Sequence, residues 1–173
     1  MSAVLEAFPG AQRAVFRRYH IGGCSSCGFQ PAETLAQVCQ RNNNLNVAEV
    51  IEHIQASHEH DRQTEISPTE LAERLRRNEP VKLLDIRTRE EWDVTRIDGA
   101  QFVNQDLIQS LMAKCPRDLL VIFYDHTGTQ SLDAAAYFAG HGFTNVRFLH
   151  GGIDAWSREV DAKVPRYKLE QDK

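Results

Sequence analysis

The apolar run Leu119-Leu120-Val121-Ile122-Phe123-Tyr124 constrains this chain more than any other feature. It carries no polar alternation, so both faces of the strand it forms must be covered, as in the centre of a parallel sheet. The run ends in the tight string Asp125-His126-Thr127-Gly128-Thr129, and Gln130 to His141 then follows with helical character. Ligands in open α/β sheets bind at the carboxyl ends of the strands, and a loop of this kind presents backbone N–H groups toward an anion. Residue 125 is expected at the bottom of that cradle.

The surrounding pattern supports the same architecture. Ser67 caps a helix with Leu71 and Leu75 on its apolar side, reinforced by Pro68 and Glu70. Val81 to Ile86 reads as a strand, 90–92 as a short helix, Ala100 to Val103 as a short strand, and Leu107 to Met112 as a helix stopped by Pro116. Val146 to Leu149 is a last strand, followed by Gly151-Gly152 and a turn toward Trp156. Strands alternating with helices predict a parallel sheet with helices on both faces.

Residues before about 60 show only helical pattern. Pro9 suits a first helical turn, Val15 and Phe16 share a face, and Pro31 opens a helix carrying Leu35, Val38 and Cys39. Asn46 and Glu49 form a reciprocal cap for Val47 to His58, whose buried side is Val47, Val50, Ile51 and Ile54. The polar stretch Ser57 to Thr64 reads as a short linker or frayed helix end. Domains are therefore expected over 1–60 and 64–173.

Composition narrows the functions. A hydrophobic fraction of 42% implies a packed core, and a net charge of −4 argues against a nucleic-acid footprint. No apolar run approaches the roughly 20 residues of a membrane helix. Met1 to Gly10 lacks a basic region and carries Glu6, so it does not read as a secretory signal. The expected compartment is cytoplasmic, where the four cysteines read as chemistry or core before disulfides.

Cys24 and Cys27 form a C-x-x-C in a glycine-bracketed turn. Such a pair can be a redox dithiol, a persulfide carrier or half of a metal site. A helix N-terminus nearby would lower the thiol pKa. No second pair stands at zinc-finger spacing. His58 and His60 could supply ligands but fit a solvated helix end, and His20 could partner a thiolate or simply end its helix. Cys39 reads as core and Cys115 as incidental.

Over residues 64–166 the sequence resembles the rhodanese family. The motifs are Leu83-Leu84-Asp85-Ile86-Arg87, Glu90 with Trp92, Ile97-Asp98-Gly99-Ala100, the strand–loop–helix at 119–140, Gly142-Phe143-Thr144-Asn145-Val146, and Leu149-His150-Gly151-Gly152-Ile153-Asp154-Ala155-Trp156. The resemblance implies an α/β fold, a rhodanese-like parallel sheet. It also implies that the first loop position should be a persulfide-bearing cysteine and that the loop often ends in a basic residue. Here Asp125 and Gln130 stand there, with His126, Thr127, Gly128 and Thr129 between them, so the loop reads as a degenerate active site. Arg96 and Asp98 also replace the usual His and Pro, in positions that bear on packing.

A carboxylate cannot form a persulfide. An anionic donor ~4 Å from it would meet a repulsion of about 4 kcal/mol at an effective dielectric near 20. Asp125 can be a helix cap or an acceptor for a cationic or hydroxyl group, and an engineered replacement of cysteine fits the same string. The string also resembles the Asp-x-Thr-Gly-Thr motif of aspartyl-phosphate enzymes, but no late acidic pair follows a strand as magnesium binding there requires.

Residues 1–56 resemble a small helical C-x-x-C domain of the DUF1858 type, found alone or joined to redox, iron–sulfur or di-iron repair proteins. This rests on Phe8-Pro9, Val15-Phe16, Tyr19, Gly23-Cys24-Ser25-Ser26-Cys27, Glu33-Thr34-Leu35 and the closing helix. Two functions remain open. In one, the chain handles thiols or sulfur through Cys24 and Cys27, with a protein thiol or sulfur carrier as partner and no standard thiosulfate sulfurtransferase activity. In the other it is a non-enzymatic regulatory or binding module whose C-x-x-C holds a metal or iron–sulfur cluster with a second chain.

Overall fold

The computed structural model describes residues 1–22, 28–30 and 32–167, and the chain divides into two compact units, Met1–Gln63 and Thr64–Lys173. The first holds the helices α1 (Ser2–Ala7), α2 (Ala11–Tyr19), α3 (Leu35–Arg41) and α4 (Val47–Gln63). The second runs β1 (Glu65–Ile66), α5 (Pro68–Arg76), β2 (Val81–Asp85), α6 (Arg89–Val94), β3 (Gln101–Phe102), α7 (Gln105–Lys114), β4 (Leu120–Tyr124), α8 (Thr129–Gly140), β5 (Val146–Leu149) and α9 (Gly152–Glu159).

The sheet is parallel in every pairing, with strand order β1-β5-β4-β2-β3. β4 is buried at every residue because both faces are covered. Leu120, Ile122 and Tyr124 point to one side, where Leu71 and Ala72 of α5 and Ile153 and Trp156 of α9 pack. Val121 and Phe123 point to the other, against Leu111 of α7 and Leu132, Ala135 and Phe138 of α8. The expected rhodanese-like α/β sheet with helices on both faces, and the helical region before it, are present. The caps are local: Ser67 Oγ accepts from Glu70 N–H at 3.1 Å, and Thr88 with Glu91 forms a reciprocal capping box for α6.

In the helical unit Val15, Val38, Cys39, Val50 and Ile54 form the core. Several expectations are corrected there. Phe16 and Ile51 lie outward, 45% and 41% exposed, because the helices pack on a narrower seam than the apolar spacing suggested. Pro9 precedes α2 in a turn, with Gly10 at the N-cap. The next helix opens at Leu35, where Thr34 and Gln37 make a reciprocal capping box; Pro31 lies outside the described residues. The 57–64 stretch is mostly helix rather than linker. α4 continues to Gln63, and Asp61 is buried against Arg13 at 2.5 Å, a contact no apolar periodicity could announce. Asn46 Oδ1 caps the Ala48 N–H at 2.9 Å, while its contact with Glu49 is long at 3.5 Å.

Candidate functional site

The carboxyl ends of β4 and β5 meet in one polar cluster. Its centre is Asp125, 4% exposed at the end of β4. The side chain turns back into its own loop. Gly128 N–H donates to Oδ1 at 2.7 Å, Gln130 N–H to Oδ2 at 3.0 Å, and the buried Ser131 hydroxyl to Oδ1 at 2.8 Å. Gly128, at φ +91, holds the N-cap position of α8 and has no side chain to offer, so the carboxylate caps the helix from three residues upstream. A negative charge among N–H dipoles at a helix start is well placed.

The loop's carbonyls are also used. Ile153 N–H donates to the Asp125 carbonyl at 2.9 Å and Asp154 N–H to that of His126 at 3.2 Å, so the first turn of α9 is bonded directly to the loop. This close approach explains Gly151-Gly152. A Cβ on Gly152 would lie 2.4 Å from the Asp125 carbonyl oxygen, at a φ of +58. Thr127 and Thr129 face outward with their hydroxyls 3.5 Å apart, and Gln130 is exposed. His126 is half-buried; its Nδ1 is buried and finds no hydrogen-bond partner among the described residues.

A second cluster lies beyond β2. The fully buried Asp85 accepts from Arg87 Nε at 3.0 and 3.1 Å and from Nη2 at 2.6 Å. Arg87 also donates to the Thr95 carbonyl at 2.6 Å and, through Nη1, to the Tyr167 hydroxyl at 2.6 Å. Burial works against this guanidinium's charge, but the bonds to Asp85 and Tyr167 outweigh it and hold its pKa above the ordinary arginine range. The Tyr167 hydroxyl in turn donates to Glu91 Oε1 at 2.6 Å. Burial and the Glu91 carboxylate push the Tyr167 phenol up to about 12, against the pull of Arg87. Burial opposes ionisation of Glu91, yet the bonds from Tyr167 and the Thr88 backbone keep its pKa below the usual carboxylate range. Burial raises the Tyr124 phenol, helped by Asp85. Ser131, Glu91, Asp154 and Tyr167 were not expected at this site. They lie far apart in sequence or carry no motif, and only the fold gathers them.

Cys24 and Cys27 lie outside the described residues. On either side, Gln12 Nε2 donates to the Gly22 carbonyl at 3.5 Å and Arg41 Nη2 to the Gly28 carbonyl at 2.9 Å. Cys39 is core, and burial pushes its thiol up. Cys115 is partly buried at the end of α7. Among the described residues no three His, Cys, Asp or Glu side chains converge in the manner of a metal site. Among the same residues no helix is long and apolar enough to cross a membrane.

A five-stranded parallel sheet flanked by helices, with a glycine-bearing loop between its central strand and the next helix, defines a rhodanese-like α/β domain. The chain belongs to that family: the model of the rhodanese-like domain matches residues 67–159. A sulfurtransferase of Allochromatium vinosum is 38% identical over 94 residues, covering 54% of this chain and 88% of the relative. The probable adenylyltransferase/sulfurtransferase MoeZ of Mycobacterium tuberculosis is 36% identical over 104 residues, covering 59% of this chain. The chain spans about a quarter of that relative's length, 26%. Among solved structures, the Alr3790 protein of Anabaena sp. superposes with a TM-score of 0.50 at 25% identity, over 58% of this chain and 88% of that one.

Proposed function

We propose that this is a sulfur- or thiol-handling protein whose rhodanese-like loop does not itself carry sulfur, with the chemistry placed on Cys24 and Cys27. One observation supports the reading most: the Asp125 carboxylate occupies the ring of donors formed by Gly128 N–H, Gln130 N–H and Ser131 Oγ. A carboxylate offers no sulfur nucleophile, and its charge opposes an anionic donor in the same ring. In this reading the rhodanese-like domain docks a partner, and a protein thiol or sulfur carrier exchanges sulfur with the C-x-x-C pair. The kinship with sulfurtransferases, one of them fused to an adenylyltransferase, is consistent with such a partner.

The test combines an assay with mass spectrometry. Thiosulfate-to-cyanide transfer should run near background, and Asp125→Cys should raise it only weakly, because Gln130 leaves the loop without a basic end. The purified protein treated with a persulfide donor should carry added sulfur on Cys24 or Cys27 and not on Cys39. Robust turnover that survives Cys24→Ser combined with Cys27→Ser would overturn the reading. A metal or iron–sulfur cluster recovered with the cysteine pair would instead favour a regulatory or binding module.

A further inference from the structure

Past α9 the described residues stay on the domain. Val164 is buried in the core beside Ile153 and Trp156, and its carbonyl accepts from the Ser157 hydroxyl at 2.5 Å. From that anchor the next residues return across the carboxyl end of the sheet. Arg166 clamps Asp154, with Nε to Oδ1 at 2.7 Å and Nη2 to Oδ2 at 3.3 Å. Tyr167 then lays its ring against His126, centroids 4.5 Å apart, and sets its hydroxyl between Arg87 and Glu91.

We propose that residues 165–167 are a self-docked strap over the rhodanese-like loop, one that shields His126 and can be released without unfolding the domain. The attachment points separate an anchor from a latch. The anchor is a buried apolar side chain plus a buried hydrogen bond. The latch beyond it is an exposed arginine and one half-buried tyrosine. Exposed ion pairs are worth little and exchange readily with solvent, so Arg166 can let go without unfolding the domain. The surface beneath is suited to a latch of this kind: Asp154 and Glu91 take the cationic and hydroxyl groups, and His126 offers an aromatic face. The loop itself remains closed by Asp125 whether the strap is on or off. The proposal is therefore independent of whether the chain handles sulfur.

The experiment uses the full chain and limiting diethyl pyrocarbonate, with modification of each histidine followed by peptide mapping. His141 and His150, both exposed, serve as internal references. In the Arg166→Ala/Tyr167→Ala double variant, His126 should react about tenfold faster than in the parent while the reference histidines do not change. Tyr167→Phe keeps the ring and loses the hydroxyl, and should fall between the two. An unchanged His126 rate in the double variant would overturn the proposal. So would a parallel rise at all three histidines with a lowered thermal midpoint, because the segment would then be part of the core and not a strap.

Discussion

Asp85 and Asp125 are two buried carboxylates at the ends of adjacent parallel strands, and they are held in different ways. Asp85 faces a full positive charge: Arg87 grips it with a fork of hydrogen bonds, and both side chains are almost wholly removed from water. Among the described residues, Asp125 faces no cation within hydrogen-bonding reach. Two backbone amides and a serine hydroxyl share its charge. An ion pair of the first kind leaves an uncompensated charge behind when one partner goes, whereas loss of the second leaves only unpaired donors. The first arrangement serves architecture, tying β2 to the end of α6. The second caps α8 and closes the loop that precedes it.

Four measurements would break or sharpen that contrast, and Trp92 and Trp156 make the stability measurements among them local. These are the chain's two tryptophans, and both lie in the α/β unit, so their fluorescence follows that unit alone. Arg87→Ala should have the largest effect, destabilising the unit by about 3–5 kcal/mol in urea because Asp85 is left charged and buried. Asp125→Ala should cost less, about 1–3 kcal/mol, for the three donors left without an acceptor. Asp125→Asn, which keeps one acceptor oxygen, should cost less still. If Asp125→Ala equals or exceeds Arg87→Ala, dipoles and a cation hold buried carboxylates equally here, and the contrast fails.

The third measurement is an alkaline titration of tyrosinate absorbance. Tyr167 has its folded pKa raised from 10.0 to about 12, so its protonated form is favoured by folding. That contribution is complete below pH 10 and disappears as pH rises through about 12. Glu91, Arg87 and His126 all face this phenol. Tyr167→Phe should remove a late-titrating group and the stability change that accompanies it; an unchanged titration would mean Tyr167 is not held as described. The smallest effect is expected from Arg166→Ala. Arg166 holds Asp154 below the usual carboxylate range, so the pair contributes above the unfolded pKa and is lost as pH falls through the folded one. The exposed arginine should leave only a slight difference between variant and parent, present above the carboxylate range and vanishing at acid pH.

How much of this was legible in the sequence depended on the range of the interactions involved. The central strand was plain because six apolar residues in a row admit few alternatives. The caps at Ser67, Thr88 and Asn104 are three-residue interactions that local reading can reach, and Ser67 was anticipated. β1 was not anticipated, because Glu65-Ile66 is a strand only by virtue of pairing with Phe148 and Leu149. Phe16 and Ile51 sit at helical spacing yet face outward, since periodicity identifies an apolar side but not its width. At the site, Asp125 stands out because it departs from a resemblance, and a carboxylate just before a helix fits a cap. Its serine partner is six residues away and buried. Arg87 was visible as part of a string, but its burial and its bond to Tyr167, 80 residues on, exist only in the folded chain.

The two outermost strands of the sheet, Glu65–Ile66 and Gln101–Phe102, are two residues each. An unpaired strand edge is a template on which other chains can add, and long flat edges invite fibrous growth. Here an arriving strand would find at most one or two hydrogen-bonding registers on either side before the chain turns away into α5 or the approach to α7. The long, apolar strand β4 is kept in the middle, where no other molecule can reach it. Brevity at the margins thus protects the sheet from self-association, and lengthening β1 or β3 by design would be the way to lose that protection.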